Sequence, residues 1–156
     1  MTYLGGTGVG GGTLMGLSKL LLKADNIDHI AEYADGGDLA NIDLRIKDMT
    51  ASSKASVLSD DLTASNFGNV SDIASKNDVA LGILNMVYET IGMVSIFAAR
   101  SAGVDNVVWT GNLTRLAFCK EKADFFNSLK STYGVNFLMP ERSEYATVIG
   151  TALHGF

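Results

Sequence analysis

Residues 5–13, Gly5-Gly6-Thr7-Gly8-Val9-Gly10-Gly11-Gly12-Thr13, run without a break into residues 14–22, Leu14-Met15-Gly16-Leu17-Ser18-Lys19-Leu20-Leu21-Leu22. From Thr13 onward the apolar residues Leu14, Leu17, Leu20 and Leu21 recur at helical spacing with Lys19 and Lys23 turned away, so a helix over 13–23 is entered directly from glycine. Glycines lack a Cβ and let the backbone approach a phosphate closely. The unsatisfied amides of a helix N-terminus, with the helix dipole behind them, attract negative charge. A tight structural turn is the competing reading of the same letters, and the local pattern leaves both open. Gly6, Gly8 and Gly11 satisfy G-x-G-x-x-G, but a dinucleotide fingerprint needs a strand before it and an acidic strand end about 20 residues later. Only four residues precede Gly5, and Glu32 lies within a helical pattern. A Walker A loop is excluded because no glycine is followed by Lys and Ser or Thr at the required spacing.

The rest of the chain bounds the class. Its 156 residues are 47% hydrophobic and 19% charged, which describes one soluble globular domain or one large piece of a bigger one. Seven of the 17 glycines fall in the first sixteen residues, and the only proline is Pro140. A single cysteine, Cys119, excludes an internal disulfide framework and fits a reducing compartment, and no Cys/His cluster has metal-ligand spacing. The net charge of −5 argues against nucleic acid or an anionic membrane as partner, since both need a clustered cationic footprint. The start MTYLGGTG lacks a basic segment followed by an apolar one, so no signal peptide and a cytoplasmic location are expected. Residues 79–99 are long enough to span a bilayer with Glu89 as the only charge. A carboxylate in mid-span, with Asn85, Thr90 and Ser95 beside it, makes a central buried helix the better reading.

Along the chain, a second helix is expected over 27–34, capped by Asp25 or Asn26 and ended at Gly36-Gly37, where a left-handed residue is needed. A third, over 39–49 and capped by Asp38, carries Ile42, Ile46 and Met49 on one side. Residues 50–62 are small and polar, the composition of a mobile surface loop, with no domain boundary. A long helix is then capped by Asn77 or Asp78 and ends near Gly103. Its apolar residues go nearly all the way round, so its own domain or a partner subunit must enclose it. NVVWTG at 106–111 reads as a buried strand, 113–132 as a helix, 135–139 as a strand ended by Pro140, and 143–153 as a last helix. Strand, helix, strand, helix is the rhythm of a parallel α/β layer.

Trp109-Thr110-Gly111-Asn112 is a strand end running out into Gly-Asn, the kind of end that lines the ligand crevice of open α/β folds. With the glycine loop it suggests two walls of a nucleotide cleft, one for phosphates and one for adenosine. Catalytic groups are otherwise scarce. His29 and His154 read as surface residues, and Cys119, between Phe118 and Lys120, as a core thiol. Asp38, Asp43 and Asp48 recur every five residues, which separates them around a helix, so capping and solvation account for them. Glu89 reads as a buried, hydrogen-bonded carboxylate.

The runs GGTGVGGGTLMGLSKLLL (5–22), ADGGDLANIDLRI (34–46), ASNFGNV (64–70), NVVWTGNLTR (106–115) and YATVIGTAL (145–153) resemble, in order and spacing, the type II (eukaryotic-like) pantothenate kinases. The glycine run and the element from Gly37-Asp38 to Ile42-Asp43 are the most specific parts. The resemblance implies ATP-dependent phosphorylation of pantothenate to 4'-phosphopantothenate, the first step of coenzyme A biosynthesis, with Mg2+ carried by the ATP. It implies an α/β chain that is one lobe of an acetate and sugar kinase, Hsp70 and actin-like (ribonuclease H-like) fold, and a homodimer joined through the helix from Asp78 to Gly103. ATP would be held by Gly10, Gly11, Gly12, Thr13, Leu14 and Met15, with Gly111 and Asn112 on the opposite wall. No catalytic residue is expected in this chain, because the family's general-base glutamate and its Asp-x-Gly-Gly-Thr phosphate loop belong to an N-terminal lobe that precedes this region. The basic residue that usually stands before Gly5-Gly6 is replaced by Thr2-Tyr3-Leu4, and an aromatic residue of bacterial relatives by Ile27. ASNFGNV matches without suggesting a physical role. Two alternatives stand beside this reading: a non-catalytic truncated or split module that binds nucleotide and dimerises, and a kinase of the same superfamily acting on another hydroxyl substrate.

Overall fold

A computed structural model describes residues 2–49 and 59–155. The chain forms two compact units, residues 1–13 with 87–156 and residues 14–86. It is a mixed α/β protein with one long helix. Most of the expected loop at 50–62 lies outside the described residues.

The unit of residues 14–86 is built on helices. Helix α1 (Gly11–Leu22) buries Leu14, Ser18 and Leu22, the i, i+4, i+8 row of the helix, so that of the expected stripe only Leu14 is enclosed, Leu17 is half-buried and Leu20 and Leu21 stand exposed. Helix α2 (Ile27–Asp35) starts where Asn26 accepts the Asp28 amide through its side chain. It does not end on a left-handed glycine: Gly36 has φ −99°. The two glycines answer to crowding instead. A Cβ on Gly36 would lie 2.6 Å from the Asn77 side-chain amide, and one on Gly37 would run into the Asn77 carbonyl oxygen and lie 2.8 Å from Leu81 Cβ.

The third helix is not a single helix. A 3-10 turn (Leu39–Asn41) leads through β1 (Leu44–Arg45) into the one-turn α3 (Ile46–Met49). The reason is Asp43, which is drawn wholly into the interior rather than solvated. Its carboxylate accepts the Phe67 amide at 2.8 Å and the Asn85 side-chain amide at 2.7 Å. Strand β2 (Thr63–Ser65) pairs antiparallel with β1, and the Ile46 and Lys47 amides extend the pairing to the Leu62 and Asp60 carbonyls.

Helix α4 (Lys76–Ala102) begins earlier than expected. Ser75 is its cap: the Ser75 hydroxyl accepts the Asp78 amide at 3.2 Å while the Asp78 carboxylate accepts the Ser75 amide at 2.7 Å, a capping box with aspartate in the usual glutamate role. The same carboxylate accepts the Asp38 amide and the Asn41 side-chain amide. Ala80, Ile83 and Leu84 of α4 are buried with Ile30 and Ile42. Although α4 is long and apolar enough to cross a membrane by length and composition, half of its most apolar window is buried inside the protein.

In the other unit, β3 (Asn106–Val108) and β4 (Asn136–Leu138) pair in parallel with Asn106 opposite Asn136. Helix α5 (Ala117–Ser128) forms the crossover, as the strand and helix rhythm predicts. Trp109, Phe126 and Phe137 fill the core with ring centroids 4.8–6.2 Å apart. Gly92 of α4 lies so close to the Phe126 ring that no Cβ fits. Strand β3 is not buried: Val108 is 53% exposed, and the enclosed residue is Trp109 just beyond it. The helix expected over 113–132 is cut twice. A 3-10 turn (Asn112–Arg115) ends at buried Leu116, and α5 stops at Leu129 before α6 (Lys130–Tyr133), which Gly134 closes in a left-handed conformation. A further 3-10 turn (Ser143–Tyr145) precedes α7 (Ala146–His154).

Candidate functional site

Residues 2–10 form no strand before the glycine run, which removes the dinucleotide fingerprint on structural grounds. The loop is shaped locally. Gly8 turns through φ +71°, and the Thr7 hydroxyl accepts the Val9 amide and donates to the Val9 carbonyl, both at 3.0 Å. The Thr13 hydroxyl donates to the Gly8 carbonyl at 3.0 Å and accepts the Gly10 amide at 3.4 Å. Thr13 therefore pins the loop to the first turn of α1, whose Gly11, Gly12 and Thr13 amides have no carbonyl partner within the helix. A Cβ on Gly10 or Gly12 would meet no atom within 4 Å, and neither residue has a left-handed φ. Packing and backbone geometry leave both glycines unaccounted for, and a bare backbone is what close approach by a ligand requires.

The second segment sits in the same unit. Gly111 adopts φ +105°, ψ 176°, a conformation essentially confined to glycine. Its amide donates to the Ser143 carbonyl at 2.9 Å, and its own carbonyl accepts the Thr114 amide and hydroxyl. Asn112 is exposed and accepts from the Arg115 guanidinium at 3.4 Å. A Cβ on Gly11 would lie 3.8 Å from the Leu113 side chain, so the glycine loop and the turn that follows Gly111 are neighbours. Among the residues named from sequence, Gly10, Gly11, Gly12, Thr13, Gly111 and Asn112 fall within this unit, while Leu14 and Met15 continue α1 into the other. Leu14 is fully buried, main chain included, which does not favour its place in the nucleotide set, and Met15 is half-buried. Sequence reasoning missed Ser143 and Tyr88. Ser143 acts through its carbonyl, which no side-chain pattern reports, and Tyr88 is hidden in the apolar run of α4.

Several other polar groups singled out in the sequence have structural roles. ASNFGNV acquires a role: Phe67 is held at φ +55° with its amide on Asp43, and the Asn69 and Ser71 amides donate to the Ile42 and Asn41 carbonyls. Lys122 pairs with Glu89 at 3.1 Å and lies 5.0 Å from the centre of the Phe125 ring. Burial pushes the Cys119 thiol up to about 11, so it is an inert core group rather than a nucleophile. His29 and His154 are exposed.

Residues 1–151 match the sequence profile of the family described as Fumble. The chain belongs to the Fumble family. Similar curated proteins include the type II pantothenate kinase of Bacillus thuringiensis subsp. konkukian, 33% identical over 111 residues covering 69% of this chain and 40% of that enzyme. The type II pantothenate kinase of Oceanobacillus iheyensis is 36% identical over 110 residues, 69% of this chain and 42% of the enzyme. The 4'-phosphopantetheine phosphatase of Mus musculus is 33% identical over 117 residues, 72% of this chain but 14% of that protein. This Fumble chain thus spans about two fifths of the length of the bacterial kinases it matches.

Proposed function

We propose that this Fumble chain is the nucleotide-binding and dimerising part of a pantothenate kinase, which transfers phosphate from ATP to pantothenate to give 4'-phosphopantothenate at the start of coenzyme A biosynthesis in the cytoplasm. The observation that carries the reading is the pair of glycines, Gly10 and Gly12, which no described residue crowds and no left-handed φ requires, at the amide-rich start of α1 and beside the turn after Gly111. In this reading the first-turn amides and the helix dipole hold the phosphates, and Gly111 and Asn112 form the wall toward adenosine. The lobe is of the acetate and sugar kinase, Hsp70 and actin-like type, and the dimer forms along α4, where Val94 and Phe97 stand exposed. Phosphoryl transfer also needs charge neutralisation and a group at the attacking hydroxyl. Among the described residues no group of three His, Cys, Asp or Glu side chains is placed to hold a metal ion. The local donors are amides and hydroxyls, which do not fit a dedicated magnesium cage, so magnesium would arrive on the nucleotide. The general base lies outside this chain.

Calorimetric titration of the purified chain with Mg-ATP, paired with an assay for phosphopantothenate, tests the reading. Weak binding without turnover is expected, with turnover restored by co-expression of an N-terminal kinase lobe. No heat of binding at millimolar nucleotide refutes it. A second reading is favoured by the match to the mouse phosphatase, in which a stretch like this one occurs in a protein with a different printed activity. There the chain is a non-catalytic binding and dimerisation module, and failure of every co-expressed lobe to restore turnover selects it. A kinase for another hydroxyl substrate would show turnover with a sugar and none with pantothenate.

A further inference from the structure

Tyr88 is fully buried on α4, and its hydroxyl donates to the Leu113 carbonyl at 2.6 Å. Phe118 and Trp109 lie against its ring, with centroids 5.6 and 6.3 Å away, which fixes where the hydroxyl points. Leu113 is the residue of the Asn112–Arg115 turn whose side chain comes within 3.8 Å of a Cβ built on Gly11. One residue therefore has its carbonyl held by the long helix and its side chain set against the first residue of α1. Gly111 is anchored separately, through Ser143, and the remaining bonds of the turn are local. Tyr88 ties the turn to α4.

We propose that Tyr88 is a positioning residue for nucleotide: by holding the Leu113 carbonyl it sets the Gly111–Asn112 wall at its working distance from the start of α1. The proposal rests on the nucleotide reading above and adds to it a named residue on α4, outside both walls. The hydroxyl is protected in its role, since burial raises its pKa far above neutrality and it remains a donor. Phenylalanine fills the same space without the donor and leaves the Leu113 carbonyl with the local Leu116 amide alone, its bond to α4 gone.

The test compares the chain with Tyr88→Phe and with Ile96→Val, a buried truncation on the same helix. Mg-ATP affinity is read by titration and amide exchange by mass spectrometry without nucleotide. Tyr88→Phe is expected to weaken Mg-ATP roughly three- to tenfold and to speed exchange of the Thr114 and Leu116 amides, while Ile96→Val leaves both unchanged. Wild-type affinity in Tyr88→Phe, or equal weakening in the two variants, overturns the proposal. If the parent chain binds no Mg-ATP, the nucleotide reading fails by itself, and exchange then decides: acceleration confined to the turn in Tyr88→Phe keeps Tyr88 as its anchor, and unchanged exchange removes it.

Discussion

Glycine is one letter with three physical meanings in this chain. At Gly8 and Gly111 it supplies a backbone angle, at Gly36 and Gly37 it admits a neighbouring helix, and at Gly10 and Gly12 it leaves open space. Substitution separates them. Gly12→Ala, in the first turn of α1, is expected to leave thermal stability unchanged or raise it by up to about 1 kcal/mol, while weakening Mg-ATP at least tenfold if a phosphate rests there. Gly37→Ala is expected to do the reverse, costing about 1–3 kcal/mol because the Asn77 backbone cannot yield. Parallel denaturation and titration of the two variants read both effects. The glycine loop was legible from sequence because a run of glycines before a helix admits few readings. Asp43 was not: a carboxylate every five residues looks solvated on a helix, and only the break that carries Asp43 inward, onto the Phe67 amide, shows it to be structural. Asp43→Asn sets an amide donor against a backbone donor, and a loss of about 2–4 kcal/mol is expected in urea unfolding.

Among the elements, α1 and α2 were readable because apolar residues recur at helical spacing between cap and turn signals, and α4 because its apolar run is too long for a strand. Strands β1 and β2 were not, since two or three residues hold no alternation. The cuts at Leu116 and Leu129 have no glycine or proline to announce them, and tertiary packing sets them: Leu116 is buried beneath the turn it ends. Exposure of β3 was equally hidden, because a strand of valines is buried only if something covers it. At the start of α4, the Ser75 amide is the foremost of the hydrogen bonds that hold the Asp78 carboxyl below the usual carboxylate range. A depressed folded-state pKa contributes stability that is fully present above the unfolded value near 4 and is lost as pH falls through the folded one. Urea midpoints measured from pH 6 down to pH 2 are therefore expected to fall more steeply for the parent chain than for Asp78→Asn, which starts lower and has no such carboxylate to protonate.

For the molecule as a whole, the mixed α/β class and the parallel strand pair followed from the order of elements. On the dimer reading, the exposed Val94 and Phe97 of α4 belong to a surface between copies. Phe97→Glu is expected to convert a sedimenting dimer into a monomer with its helical content intact, and an unchanged sedimentation coefficient removes α4 from the interface. Division of the chain into units was not legible, because the unit that holds the glycine loop is assembled from both ends of the sequence. That has a consequence for biosynthesis. The segment around Gly11 leaves the ribosome roughly 100 residues ahead of Leu113, so at about 5–20 residues per second it waits some 5–20 s for its neighbour. Until then the nascent chain carries a loop rich in bare amides and no second wall. Any capacity to hold an anion between the two therefore arises late, after the aromatic core of Trp109, Phe126 and Phe137 has been made, and a stalled or clipped chain that lacks its last 40 or so residues keeps the glycines while losing Ser143, the anchor of Gly111.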